Sequence, residues 1–250
     1  RDWGVGIGSR YHELFLGSGA MYFGLKGTGM IRTKQHSWLS DLNPALVNAM
    51  RVVSDAELLE DLIHILESWQ EEYGNEGPVP KNARQAERDR GMYYKMRGEL
   101  NGYLGHTGMR SDDSRVEFAA LMIFLNKTCF NGLFRVNRKG EFNVPIGSYV
   151  NPSFQSPEDL LEVQSALQGV TIHEAPFEEC GKWVNEATFV YFDPPYRPLS
   201  KTSHFVSYSK GDFNDDHQKR LAALFCTLDG MGAQLLLSNS DPKNTVPDDD

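Results

Sequence analysis

An α/β fold, built on an open and mainly parallel sheet and interrupted by a mostly helical insertion, is what this 250-residue sequence predicts. Three observations carry that expectation. Near the N-terminus a strand-like run, His12-Glu13-Leu14-Phe15-Leu16, meets the turn Gly17-Ser18-Gly19 and then a helical stretch, Ala20 to Leu25. Strand and helix patterns alternate again from Val170 onward. Between residues 55 and 165 that rhythm is missing, and apolar residues fall at helical spacing instead.

Taken in order, a second strand-like run, His36 to Ser40, ends at Asp41, and Asn43-Pro44 opens a helix with proline near its first turn. Leu58, Leu59, Leu62, Ile63, Leu66 and Trp69 mark a helix over Ala56 to Trp69, and Gly74 to Pro80 breaks it. Phe118 to Leu125 is apolar enough for a buried helix, and Gly140 to Pro152 reads as a loop or short hairpin. Met92, Tyr93, Tyr94 and Met96 read as packing residues. Val170 to His173 and Thr188 to Phe192 are strands, Asp215 to Leu228 is a helix, and Ala233 to Leu237 is a further buried strand. Two domains follow: residues 1–54 with 166–250 form the sheet domain, and residues 55–165 the insertion. A sheet of this kind usually has one or two further strands, so the chain is expected to continue beyond Asp250.

Composition narrows the class. The sequence is 40% hydrophobic and 24% charged, as in an ordinary globular protein, and no apolar run approaches the ~18 residues of a membrane span. Cys129, Cys180 and Cys226 form no CxxC pair, and no histidines, His64 and His217 included, have metal-ligand spacing. No metal, no membrane and a reducing cytoplasm are expected. The net charge of −9 argues against a nucleic-acid partner only in total, because binding depends on one face. Residues 81–97 hold six Lys or Arg against two acids, and residues 127–141 four against one.

The residues that carry chemistry begin at Val190-Tyr191-Phe192-Asp193-Pro194-Pro195-Tyr196. An apolar strand delivers an acid at its carboxyl end, where open α/β sheets bind ligands. Two prolines then stiffen the turn and remove two N–H donors, leaving carbonyl acceptors. A carboxylate beside a carbonyl suits an amino group on a conjugated ring, on which Tyr196 can stack. A proline-rich turn with a solvated aspartate is the plainer account; Tyr196 and the apolar strand in front favour a site.

Gly17 and Gly19, between a strand and a helix, let a ligand approach the backbone. The full GxGxxG is not met, since position 22 is Tyr, and no Walker lysine follows. Asp41 ends the next strand where an acid typically holds ribose hydroxyls, although it could equally cap the helix at Pro44. Together these favour a nucleoside-containing cofactor.

Five segments in this order resemble the Dam-type DNA adenine-N6 methyltransferases: Phe15 to Gly19, Asp41-Leu42-Asn43, Asn131-Gly132-Leu133-Phe134-Arg135-Val136-Asn137, Gly140 to Gly147, and Asp193-Pro194-Pro195-Tyr196. The resemblance runs from residue 11 to about 240. It implies a Rossmann-like class I methyltransferase sheet with an inserted target-recognition domain, S-adenosylmethionine as cofactor, and double-stranded DNA as partner. It further implies that Phe15, Gly17, Gly19, Asp41, Phe177 and Asp193 contact the cofactor, and that Asp193, Pro194 and Tyr196 hold the target base. Phe130, Asn131, Leu133, Arg135 and Asn137 would face DNA, with Phe130 and Asn131 entering the stack and Arg135 reading a guanine. The reaction implied is base flipping followed by direct in-line transfer to adenine N6, nearest in kind to enzymes acting on GATC, by a monomer or weak dimer of bacterial or phage type.

Two departures stand out. Pro176 occupies the place where the family has an aspartate before the aromatic, and Trp3-Gly4-Val5-Gly6-Ile7-Gly8 lacks the lysines of the family's opening segment. The same residues also admit an RNA or amide N-methyltransferase, or a DNA-binding relative without turnover. Turn chemistry alone explains Gly132 and Gly140 but not the whole block from Asn131 to Gly147.

Overall fold

The computed structural model describes residues 10–32, 36–77, 91–106, 111–149, 152–154, 156–195 and 213–239. They fall into two compact units: residues 10–43 with 169–195 and 213–239, and residues 44–168. The strands are β1 Arg10–Glu13, β2 His36–Asp41, β3 Val170–Glu174, β4 Thr188–Phe192 and β5 Gln234–Leu237. The helices are α1 Ala20–Gly27, α2 Pro44–Ser54, α3 Ala56–Asn75, α4 Gly91–Gly105, α5 Asp112–Thr128, α6 Pro157–Ala166 and α7 Asp215–Gly230.

In the first unit all five strands pair in parallel, in the order β3-β2-β1-β4-β5. β1 is central, so the chain leaves it toward β2 on one side and returns to β4 on the other. That reversal creates a crevice at the carboxyl ends of β1 and β4. Both sheet faces are covered, and all five residues of β4 are buried. On one face Leu14, Val190 and Phe192 pack with Leu221 and Leu228 of α7 and with Phe177 and Cys180 of the 3-10 turn Phe177–Trp183. On the other, Tyr11 stacks on Phe189 at 6.1 Å between ring centroids and meets Tyr22 of α1 at 6.0 Å. An Asn214–His217 capping box starts α7, with Asn214 Oδ1 accepting the N–H groups of Asp216 and His217 at 3.1 Å each.

Two strand expectations are corrected. The run His12 to Leu16 does not end as a regular strand, because the ladder stops at Glu13. Leu14 N–H still donates to the Tyr191 carbonyl at 3.2 Å and Leu16 N–H to the Ser40 carbonyl at 2.9 Å. The backbone therefore stays tied to both neighbours while it turns into the glycine loop. The second correction concerns β5. Expected as a buried strand, it leaves Leu236 and Leu237 each 40% exposed, and it is the last strand of the sheet among the described residues. Among the described residues it is paired on one side, by β4.

The second unit is built on α5, whose Val116, Phe118, Ala119, Ala120, Leu121, Phe124 and Leu125 are all buried. Helices α2, α3 and α4 pack directly on it. Asn48 of α2 is also tied to α5, its Nδ2 donating to the Arg115 carbonyl at 2.8 Å. Trp69, Tyr73 and Phe154 surround the Phe124 ring at centroid distances of 6.0, 5.4 and 4.9 Å. Met92, Tyr93 and Met96 are buried on α4, as packing residues should be. No helix among the described residues is long and apolar enough to cross a membrane.

Candidate active site

Register explains which residues meet at the crevice. Glu13 of β1 pairs with Leu39 of β2 and Tyr191 of β4. Beyond that level Phe15 follows β1 by two residues, Asp41 is the last residue of β2 and Asp193 is the first residue after β4, so all three lie at the carboxyl end of the sheet. Asp193 is exposed and Pro194 buried, immediately after the fully buried β4. Tyr196 lies outside the described residues, as does Trp3 to Gly8.

Asp41 organises the glycine turn. Its Oδ2 accepts the Gly17 N–H at 2.9 Å, and its Oδ1 accepts the Asn43 N–H at 2.8 Å. Burial pushes its carboxyl above the usual aspartate range, while the N–H bonds from Gly17, Asn43 and Leu42 oppose that shift. The aspartate thus performs the local turn-forming job and also presents a carboxylate at the crevice. Gly17 has φ +50° with open space where a Cβ would stand. Gly19 has φ +72°, and a Cβ there would lie 2.7 Å from the Phe23 ring. Both glycines are therefore required by backbone conformation, and the second by packing as well.

Glu13 is the acid that sequence reading overlooked. It is 2% exposed, and Tyr11 Oη donates to its Oε2 at 2.7 Å. Its carboxylate also accepts the backbone N–H of Tyr22 in the first turn of α1, whose N-cap, Gly19, has no side chain to do so. Burial raises its carboxyl to about 7; the Tyr11 and Tyr22 bonds oppose this, and the charges of Asp193 and Asp41 reinforce it. An acid inside the apolar run from His12 to Leu16 was the available signal.

Because the folded carboxyl titrates higher than the unfolded one, its contribution to stability is complete below about 4.5 and is lost as pH rises through about 7. Glu13→Gln, which cannot ionise, should therefore gain on the wild type by about 2–3 kcal/mol between pH 5 and pH 8. Denaturant melts of both proteins at the two pH values measure it. Equal differences at the two pH values would place Glu13 outside this titration. Buried His12, held at 3.1 Å from Ser40 Oγ and pushed down to about 3, acts equally in both proteins and cancels.

The remaining crevice residues are aromatic. Phe15 lies 5.6 Å from Phe177 and 5.8 Å from Phe213, and Phe177 lies 6.0 Å from Phe213. Phe213, missed in the sequence, joins a cluster that the sequence reading built from two rings. Pro176 precedes Phe177 as the N-cap of its turn, with an extended backbone. Among the described residues, a glycine turn with open space, a carboxylate at the strand end and apolar ring faces suit a nucleoside bearing a cationic centre.

The expected DNA-facing residues lie together on the second unit, in a loop closed at its base. Phe130 N–H donates to the Pro145 carbonyl at 2.9 Å, and Gly147 N–H to the Thr128 carbonyl at 2.8 Å. A Cβ on Gly147 would stand 2.8 Å from the Cys129 carbonyl, so the crossing needs glycine. Asn131 and Gly132 have φ +55° and +61°, and Leu133 N–H returns to the Phe130 carbonyl at 3.3 Å, a type I′ turn. The turn projects Phe130 and Leu133, 49% and 36% exposed. Arg135 is half-buried and bonds Asn143. The Asn137 amide shapes a second turn: its Oδ1 accepts from Lys139 and Glu141 N–H, and its Nδ2 donates to Glu141 Oε2 at 2.8 Å.

Comparison with known proteins identifies the family. The family described as D12 class N6 adenine-specific DNA methyltransferase matches residues 6–247. The type II methyltransferase M.MjaIII of Methanocaldococcus jannaschii is 41% identical over 92% of this chain and 73% of its own length. The type II methyltransferase M1.LlaDCHI of Lactococcus lactis subsp. cremoris is 35% identical over 93% of this chain and 72% of its own length. A DNA adenine methylase of Vibrio cholerae is 34% identical over 83% of this chain and 66% of its own length. With nearly the whole sequence matched and an all-parallel sheet whose switch point carries the motif residues, the chain belongs to the D12 class of N6 adenine-specific DNA methyltransferases.

Proposed function

We propose that the sheet unit holds S-adenosylmethionine and a flipped adenine of double-stranded DNA, and that the helical unit carries target recognition. The observation behind this is that Phe15, Asp41 and Asp193 all fall at the carboxyl ends of the central strands, with the glycine turn tied to Asp41. Phe15, Phe177, Gly17 and Gly19 would enclose the cofactor, Asp41 would bind its ribose, and Asp193 would face both cofactor and base. When bound, the cofactor would supply a methyl group directly to the adenine amino nitrogen: its S–CH3 bond breaks as the N–C bond forms, S-adenosylhomocysteine leaves, and the nitrogen sheds one proton to solvent by way of Asp193. Asp193 and the Pro194 carbonyl would accept the two amino hydrogens, which returns electron density to a lone pair otherwise delocalised into the ring. Flipping the base costs a few kcal/mol of unstacking, and the half-exposed Phe130 ring fills the gap, supported by Asn131 and Leu133. Arg135 reads a guanine and Asn137 fixes the loop behind it.

Incubating the protein with labelled S-adenosylmethionine and either duplex DNA or RNA tests the reading. Label in N6-methyladenine of the duplex is expected, and methylation-sensitive nucleases then define the site, for which GATC is the first candidate. Label confined to RNA would overturn the proposal. Arg135→Ala should relax preference at one base pair by about 1–3 kcal/mol, measured as relative methylation of single-substitution duplexes. Unchanged preference at every position removes Arg135 from readout. We further place the enzyme in the cytoplasm as a monomer or weak dimer, which sedimentation of the purified protein checks.

A further inference from the structure

We propose that Asn143 is the positioning residue for Arg135: it holds the Nε edge of the guanidinium, so that the Nη1 and Nη2 fork is the edge offered to a base. Arg135 Nε donates to Asn143 Oδ1 at 2.8 Å, and Nη2 lies 3.5 Å from the Asn143 carbonyl, a distance at the margin of a hydrogen bond. A guanine can be read by an arginine either side-on, through Nε and one Nη, or end-on, through both Nη groups. With Nε committed to Asn143, the end-on fork remains.

The hold is directional because the backbone beneath it is fixed. Asn143 stands opposite Arg135 in a short antiparallel pair, closed by the Val136–Phe142 bridge, and its N–H donates to the Arg135 carbonyl at 3.2 Å. On either side of it Phe142 and Val144 are 2% and 1% exposed, so alternation turns Asn143 to the opposite, exposed side. Two residues of α4 hold that buried edge. Asn101 Oδ1 accepts the Phe142 N–H at 2.6 Å while its Nδ2 donates to the Phe142 carbonyl at 3.1 Å, and Tyr93 Oη donates to the Val144 carbonyl at 2.9 Å. Helix, strand, asparagine and arginine thus form one continuous support. An arginine fixed before it meets DNA loses less rotamer freedom on binding.

This inference rests on Arg135 being a base reader, so its test keeps the two ideas separate. Duplexes with every base pair varied around one methylatable adenine are offered to the wild type, Arg135→Ala, Asn143→Ala and the double variant, and relative methylation is read at each position. Asn143→Ala should lose about tenfold in discrimination at the same base pair that Arg135→Ala relaxes, with the other positions unchanged. The double variant should match Arg135→Ala, since an anchor without its arginine has nothing to orient. Should Asn143→Ala lower methylation uniformly, relax a different position, or add to Arg135→Ala in the double variant, the positioning role is overturned while the readout by Arg135 stands. Should Arg135→Ala relax nothing, the readout itself fails, and this inference with it.

Discussion

Replacing Asp193 by alanine is expected to slow single-turnover methyl transfer by about 10³-fold or more, while binding of the DNA remains measurable. The expectation follows from what surrounds the position. Asp193 leaves the end of the fully buried β4 beside the end of β1, with Pro194 buried behind it. Two prolines in succession hold the turn in one conformation and donate nothing. Alanine removes the charged acceptor but leaves this rigid backbone, so the Pro194 carbonyl alone would meet the amino group. Asparagine should fall between the two, since it keeps one acceptor and brings an NH2 that opposes the adenine's own. Rapid-quench assays with labelled cofactor, beside a gel-shift titration, separate chemistry from binding. An alanine variant within about tenfold of the wild type would mean that the carboxylate does not take part in the transfer.

Asp41→Ala should weaken cofactor binding by about a hundredfold and destabilise the fold by about 1–3 kcal/mol. Both effects come from one carboxylate. Each of its oxygens receives a backbone N–H, from Gly17 on one side and Asn43 on the other. Alanine orphans both donors and releases a glycine turn whose positive φ values depend on being held. Asp41→Asn can satisfy only one of the two N–H groups, because its NH2 faces the other as a second donor. Calorimetry with S-adenosylmethionine and with its demethylated product, alongside thermal melts, distinguishes the effects. Unaltered affinity in a variant that still melts cooperatively would take Asp41 out of the cofactor site and leave it a turn-former.

Much of the site was legible because its requirements are local. Positive φ at Gly17 and Gly19, the stiff Pro194-Pro195 turn and the I′ turn at Asn131-Gly132 are demands on a few consecutive residues, and only certain residue types meet them. The apolar run into Asp193 announced a strand, and β4 is one. Less was legible where the answer depended on neighbours. The run His12 to Leu16 leaves its ladder at Glu13 to enter the glycine loop, and Glu13 itself ends buried. Phe213 carried no motif at all, and its place beside Phe15 depends on α7 starting where it does.

Read alone, the chain was enough to establish a parallel α/β architecture and the order of its motifs, since each is encoded in contiguous residue types. Folding alone decided that Glu13 lies buried where the charges of Asp41 and Asp193 act on it, and that Asn143 grips Arg135 beside a bridge pinned by Asn101 from 41 residues away. The physical reason is the range of the interaction. Backbone conformation is set by a residue and its chain neighbours, whereas burial, charge coupling and side-chain anchoring are set by whatever the remote chain brings alongside.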